Sequence, residues 1–166
     1  MRAAKTGDKL VIKVRAAALL EDKPRDDLRS RPLDQKPYWH VERARVGATR
    51  QVPVELVVNG RAVEQKLIEA DGRIQDVAFD YSPTISSWIA VRIFPSSHTN
   101  PVFVELDGKP IRASRRSARW CLGAVDVCWN AKLLRIRREE RPAAEAAYAK
   151  AREVYKQRLD EAFNDE

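Results

Sequence analysis

The residues best suited to chemistry are few and lie far apart in the chain. His40 and Glu42 form an H-x-E pair, His98 stands two residues before Asn100, and the chain has 2 histidines in all. A metal site would need both rings together with carboxylates from separate loops. The two rings would have to converge within about 5 Å, because metal–nitrogen bonds are near 2 Å long. The simpler reading is that His98 and Asn100 fasten a loop by hydrogen bonds to backbone and that His40 lies on an edge strand. We therefore expect no metal site in this chain.

The candidate nucleophiles also lack a catalytic setting. Cys121 and Cys128 lie seven positions apart on one predicted helix, where the rise of 1.5 Å per residue separates their Cα atoms by roughly 10 Å. That distance is too long for a disulfide. Ser96 and Ser97 are not in a G-x-S-x-G turn between a strand and a helix, and the 6 glycines are scattered and form no phosphate-binding loop. No complete active site is visible in the sequence, and a small metal-dependent hydrolase that uses His40 and His98 stays open as an alternative.

Four tryptophans leave a binding function open. Trp39, Trp88, Trp120 and Trp129 could form a platform on which sugar rings stack. Three of the four fall in apolar patterns, which favours packing in a core. A carbohydrate- or polymer-binding module remains the alternative to a structural or interaction role.

Alternating apolar and polar residues predict that the first two thirds of the chain are mainly β. Turn sequences at Asn59-Gly60, Asp71-Gly72 and Asp107-Gly108 are typical of tight hairpins. Short strands separated by turns about every ten residues favour an immunoglobulin-like antiparallel β-sandwich. The predicted strands are residues 9–16, 38–46, 51–59, 61–68, 74–81, 88–94 and 102–106.

The period changes to that of a helix after residue 113. Ser114 is a suitable N-cap, and Pro142 suits the first turn of a second helix. The expected apolar stripe of the first helix is Ala118, Cys121, Leu122, Val125 and Trp129, and that of the second is Ala144, Tyr148, Ala151, Tyr155, Leu159 and Ala162. We predict a sandwich domain over residues 1–113, with a long proline-containing charged loop at 21–37. A helical segment over residues 114–166 would pack on the sandwich or on a partner. Its alanine-rich seam could also join two copies of the chain.

Charge and hydropathy limit the partners. The net charge is +7, and residues 112–141 hold nine Lys or Arg and three Asp or Glu, a net charge of +6. Such a segment could contact phosphates, but no aromatic-rich binding strand accompanies it, which argues against nucleic acid. The small and apolar run at residues 16–20 is far below the roughly 20 residues that a bilayer requires. We expect no membrane partner and see no signal peptide, and the compartment stays open.

The best candidate for an interaction surface is a polar loop between two predicted central strands. Pro95 and Pro101 bracket five hydrogen-bonding side chains, and loops held by a rigid scaffold often carry function. The alternative is a loop that only connects the sandwich to the helix. The candidate surface combines this loop with nearby arginines: Arg92, Ser96, Ser97, His98, Thr99, Asn100, Arg112, Arg115, Arg116 and Arg119.

Several segments resemble the C-terminal region of bacterial CehA/McbA-family metallohydrolases. The likeness extends from about residue 8 to residue 163, in one order. The segments that carry it are DQKPYWHVERARVG (34–47), VPVELVVNGRAV (52–63), SSWIAVRIFPSSHTNP (86–101), GKPIRASRRSARWC (108–121) and AREVYKQRL (151–159).

The resemblance implies a non-catalytic, accessory role. In that family the chemistry belongs to an upstream PHP-type barrel, where His and Asp side chains hold divalent metals that activate water. This chain has no counterpart of that barrel, so no catalytic or metal-binding residue is carried over to it. The resemblance thus implies that the cofactor, a divalent metal, lies in the upstream catalytic domain of a parent chain, which would also be the partner of this domain.

Overall fold

The chain folds into two compact units, residues 1–109 and residues 110–166, in a computed structural model. The structure describes residues 2–25, 27–32, 34–35, 43–45 and 47–163. The first unit holds the strands and the second holds two long helices. The predicted boundary at residue 113 falls within the second unit. No helix in the described ranges combines the length and the apolar character needed to cross a bilayer.

The first unit is built from two sheets. Its elements are β1 (Arg2–Ala4), β2 (Leu10–Ala16), the short helix α1 (Asp27–Ser30), β3 (Gln51–Val58), β4 (Arg61–Glu69), β5 (Gln75–Tyr81), β6 (Ser87–Ile93), β7 (Ser97–His98) and β8 (Val102–Leu106). The larger sheet has the order β1-β8-β6-β3-β4, with β7 also paired to β6, and the smaller sheet joins β2 and β5. All these pairs are antiparallel except β1 and β8, which are parallel. The predicted all-antiparallel arrangement is therefore wrong at that one edge.

One apolar core lies between the two sheets. The larger sheet contributes alternate residues of its strands, and the smaller sheet contributes Val77 and Phe79 of β5 together with the half-buried side of β2. Successive residues of a strand face opposite sides, so alternation in the sequence places one set in this core. The core positions of the larger sheet are Ala4, Val54, Leu56, Val58, Ile68, Ile89, Val91, Ile93, Val104 and Leu106.

One of the three predicted turns closes a hairpin in the described residues. Asp71 and Gly72 connect β4 to β5, which belong to different sheets, so no hairpin forms there. Asn59 and Gly60 have φ angles of 50° and 91°, which is the left-handed backbone that a two-residue hairpin requires, and β3 and β4 pair across this turn. Asp107 and Gly108 also have positive φ, 52° and 69°, but no strand follows β8 up to residue 163, the last residue that the structure describes. The hairpin predicted there is wrong, because Asp107 donates its N–H to the carbonyl of Ala4 instead.

Three short elements were not predicted: β1, α1 and β7. They span 3, 4 and 2 residues, too few for a periodic pattern to emerge. Most of the strand predicted at residues 38–46 lies outside the described residues. Its described part, residues 43–45, is not a strand.

The second unit is a pair of helices, α2 (Arg115–Lys132) and α3 (Arg141–Glu161), joined through two short 3₁₀ turns. Ser114 caps α2 by accepting a hydrogen bond from the N–H of Ser117, and Pro142 occupies the first turn of α3. Both termini confirm the prediction. The two predicted stripes are the sides that are at least half-buried, and the helices pack on each other.

Candidate functional site

The polar loop predicted as an interaction surface folds back along β6. Ser97 and His98 form β7 and pair with Ile93 and Arg92, so two of the five loop residues are strand residues. Ser96 sits in the preceding turn, where its N–H donates to the carbonyl of Ile93 over 2.8 Å. The loop is thus an extension of the larger sheet.

Thr99 closes the gap between β7 and β8. Its N–H donates to the carbonyl of Val91 over 2.9 Å, and its Oγ1 accepts from the N–H of Val91 over 3.1 Å. The Thr99 hydroxyl accepts the hydrogen bond that a backbone carbonyl of a neighbouring strand would otherwise accept. The N–H of Val91 on β6 therefore stays paired between the end of β7 and the start of β8. His98 contacts the carbonyl of Thr99 through Nδ1 at 3.1 Å. These contacts fit the simpler reading of His98, which is that it fastens the loop.

Arg92 is held on the larger sheet by a cross-strand ion pair. It lies opposite Glu55 of β3, and its Nε donates to Glu55 Oε2 over 2.6 Å. Its guanidinium also lies 5.4 Å from the ring centroid of Phe94. Arg92 is therefore partly neutralised, and its contribution to a binding surface is reduced.

A groove runs beside β2, between the smaller sheet and the part of the larger sheet formed by β6, β8 and β1. Its larger part has a volume of about 640 Å³ and reaches Thr99 and Asn100. A second part, of about 180 Å³, is lined by residues 97–99 and by Arg15. The structure therefore brings the predicted loop together with β2, which the sequence did not associate with it.

The four arginines at 112–119 belong to the other unit. Arg112 donates through Nε to Glu161 Oε2 over 2.6 Å, and its carbonyl accepts from the N–H of Phe163. It therefore connects the segment before α2 to the end of α3. Arg115 is half-buried at the first position of α2, whereas Arg116 and Arg119 are exposed. Arg112 thus has a structural role within its unit.

The Arg112–Glu161 pair leads to a pH prediction. The hydrogen bond from Arg112, and next that from Gln157, lowers the pKa of Glu161 below its usual value of 4.5. Because the folded-state pKa is the lower one, the pair stabilises the fold fully above about pH 4.5 and less as the pH falls. Replacing Arg112 with alanine should raise the pKa of Glu161, which an NMR titration of its side-chain carboxyl measures. Arg116→Ala is the control and should leave it unchanged; an unchanged pKa in Arg112→Ala would contradict the prediction.

The helical pair has an apolar groove of its own. It has a volume of about 370 Å³ and is lined by Trp120, Cys121, Ala124, Val125, Cys128, Ala147, Tyr148, Ala151 and Tyr155. Both cysteines are free, and Trp120 is 73% exposed. No side chain of α2 or α3 is fully buried, so the apolar stripe of this unit is only partly covered by the pairing of its helices.

Within that groove Cys128 and Tyr148 are hydrogen-bonded, with 3.2 Å between Sγ and the phenol oxygen. The bond, aided by Lys132, lowers the pKa of Cys128 below its usual value, and the same bond raises the pKa of Tyr148. The ring of Trp129 packs on that of Tyr148 with centroids 5.0 Å apart. The sequence placed Trp129 and Tyr148 in the apolar stripes of two separate helices but gave no sign of the thiol–phenol contact, since that contact joins the two helices.

The candidate metal ligands are not brought together by the described structure. His40 and Glu42 lie outside the described residues, as does Trp39. Among the residues that are described, no three His, Cys, Asp or Glu side chains form a group that could hold a metal ion. The absence of a metal site from this chain stays a prediction.

Comparisons with protein-family models, with curated proteins and with solved structures give no match to this chain.

Proposed function

We propose that this chain is a non-catalytic accessory domain that packs on the catalytic domain of a bacterial PHP-type metal-dependent hydrolase. The observation that carries the proposal is the open apolar groove of the helical pair. Helices of this length are stabilised mainly by burying an apolar face, yet α2 and α3 have no fully buried side chain. An exposed indole next to small residues, as at Trp120, is typical of a surface that binds another protein.

The resemblance of five segments to the C-terminal region of CehA/McbA-family metallohydrolases supports the choice of partner. It assigns the divalent metal and the hydrolytic chemistry to the catalytic domain. The role of this chain would then be to shape the assembly of the enzyme or the access of its substrate.

The proposed fold of the first unit is an immunoglobulin-like sandwich. Two facing sheets around one core and a two-residue hairpin between β3 and β4 support this. Within the described ranges the smaller sheet has two strands, fewer than the three or four of an immunoglobulin domain.

The first test examines the gene and the purified chain. An open reading frame that continues upstream of the Met1 codon into a His- and Asp-rich barrel would support the proposal. The purified chain, incubated with Zn²⁺ or Mn²⁺ and dialysed, should retain little metal and hydrolyse neither p-nitrophenyl acetate nor p-nitrophenyl phosphate. Stoichiometric metal together with hydrolysis would overturn it.

A second experiment tests whether the apolar groove of the helical pair binds the catalytic domain. If that barrel is encoded, the two domains can be produced as separate polypeptides and co-purified. Trp120→Glu should abolish co-purification, because it places a carboxylate in the apolar groove. Asn130→Glu introduces the same charge at an exposed position of α2 that does not line the groove. It should leave co-purification unchanged, and equal losses in both variants would argue against this surface.

A carbohydrate-binding module is the second candidate, favoured by one cross-strand pair of aromatic residues. Trp88 and Phe103 lie opposite each other on β6 and β8, and Phe103 is 47% exposed. Two neighbouring rings on one sheet face could stack on a sugar. Quenching or enhancement of tryptophan fluorescence by added glycan that is lost in Phe103→Ala would favour this candidate over the first.

A further inference from the structure

The two strands of the smaller sheet differ in what lies beside their outer edges. The edge of β5 is contacted by β4: Gln75 Nε2 donates to the carbonyl of Glu69 over 2.7 Å, and Lys66 Nζ donates to the carbonyl of Ala78. In the described part of the chain, β5 is the only strand that pairs with β2. Among the described residues no strand pairs with the other edge of β2, and its backbone donors and acceptors there can pair with an added strand.

The groove follows this open edge along its length. Its larger part is lined by residues 9–14 and its smaller part by residues 14–17, and both parts share Val14, Val91 and Thr99. Ile89 and Val104 of the larger sheet also line it, and Val102 stands 49% exposed among the lining residues. We call these two adjoining spaces together the edge groove. It offers an added strand an apolar surface for the side chains that point inward.

The outward side of β2 is basic. Residues 10, 12, 14 and 16 are half-buried, whereas residues 9, 11, 13 and 15 are exposed. Arg15 lies opposite Asp76 on β5, but Lys13 lies opposite Ala78, and Lys9 precedes the paired region. Arg2 adds a further cation to the lining, and none of the described lining residues is acidic. The charge of the edge groove therefore favours an acidic occupant.

The same charges disfavour a second copy of this chain. If two β2 strands paired antiparallel about a two-fold axis, the register centred on residue 13 would place Lys13 opposite Lys13. The register centred on residue 14 would place Lys13 opposite Arg15, and that centred on residue 12 would place Lys9 opposite Arg15. Like charges directly opposite each other destabilise strand pairs. Each of these three registers is therefore destabilised by a pair of like charges. Charged side chains commonly prevent self-association at exposed sheet edges.

We propose that β2 binds an acidic peptide segment of a partner protein in extended conformation, as a third strand of the smaller sheet. Backbone hydrogen bonds to the open edge supply affinity. Alternating side chains divide between apolar contacts in the edge groove and carboxylates beside Lys9 and Lys13. The seven residues of β2 span about 23 Å at 3.3 Å per residue, which matches a peptide of seven or eight residues. This site belongs to the first unit and does not depend on the accessory role proposed for the helical pair.

The experiment uses the whole chain and a synthetic eight-residue peptide in which glutamate and valine alternate. Binding is measured by isothermal titration calorimetry at low ionic strength, and hydrogen exchange is followed by NMR. We expect saturable binding and slower exchange of amides within residues 10–16. Slower exchange distinguishes strand addition from diffuse attraction, since only pairing protects backbone amides.

Reversing the charges of Lys9 and Lys13 gives the most specific test of the proposed site. Lys9→Glu combined with Lys13→Glu should weaken binding of the acidic peptide by about tenfold or more and create binding of a lysine–valine peptide. The control, Lys23→Glu combined with Lys156→Glu, reverses two exposed charges that do not line the edge groove. It should bind the acidic peptide like the unaltered chain. A peptide of the same composition in block order should bind far more weakly.

Four results would each overturn the proposal. One is no binding of the alternating peptide at low ionic strength. Another is equal binding of the alternating and block peptides without protection of residues 10–16, which indicates diffuse charge attraction. A third is tighter binding of a single-stranded oligonucleotide that displaces the peptide. The last is concentration-dependent dimerisation that protects residues 10–16 without any peptide, which would make a second copy the occupant.

Discussion

Replacing Phe79 with alanine is expected to lower the free energy of unfolding of the first unit by about 3–5 kcal/mol. Phe79 is 0% exposed and is the largest fully buried side chain. It lies opposite Ile12 in the smaller sheet and belongs to the core cluster that the larger sheet completes. Its loss removes apolar area and leaves a cavity that both sheets line, so the core cannot collapse without moving one sheet towards the other.

Native-state hydrogen exchange of β3 and β6 measures this effect, because the slowest amides report global unfolding of the unit that contains them. Val63→Ala is the matched control. Val63 lies on β4 and is 51% exposed, so its truncation should change the free energy of unfolding by less than about 0.5 kcal/mol. A change of less than 1 kcal/mol for Phe79→Ala would contradict the described core.

Replacing Ser86 with alanine is expected to cost about 1–3 kcal/mol of unfolding free energy, a large effect for the loss of one oxygen atom. The hydroxyl of Ser86 accepts from the N–H of Leu106 over 2.8 Å and donates to the carbonyl of Lys109 over 2.6 Å. Ser86 is 5% exposed. The substitution leaves the N–H of Leu106 without this partner in a site that has little access to water.

Ser96→Ala makes the same change in an exposed turn, where the hydroxyl donates only to the carbonyl of Ile93, over 3.2 Å. We expect a cost below about 0.5 kcal/mol for that variant. Urea unfolding followed by circular dichroism compares the two midpoints. The Ser86→Ala variant should also exchange the amide of Leu106 faster. Equal midpoints for the two variants would show that the Ser86 bridge adds little to stability.

Much of the local structure of this protein could be predicted from its sequence, because the signals act over a few residues. Strand alternation places β3 and β6 within one residue of their predicted starts. Asn59-Gly60 predicts its hairpin because both residues tolerate positive φ. Ser114 predicts the start of α2, since its side chain can accept from a free N–H of the first turn. Each of these depends only on neighbours along the chain.

The candidate site was predicted less well, because it depends on contacts between distant segments. The sequence grouped Arg92, residues 96–100 and the arginines at 112–119 by proximity along the chain. In the structure Arg92 pairs with Glu55, and residues 99 and 100 line a groove with β2. Arg112 binds Glu161 at the far end of the helical unit.

The sequence by itself determined the longer strands, the Asn59-Gly60 turn, the two helices and the apolar faces that each presents, since period and capping are local properties. Only the tertiary structure decided which edges are paired. β1 joins β8 across about a hundred residues, and Thr99 places its hydroxyl beside Val91. In the part of the chain that the structure describes, β2 pairs with β5 along one edge only. Edge pairing depends on how the sheets meet around a shared core and not on any repeat within a segment. The most distinctive surface of the first unit therefore appears only when the chain is folded.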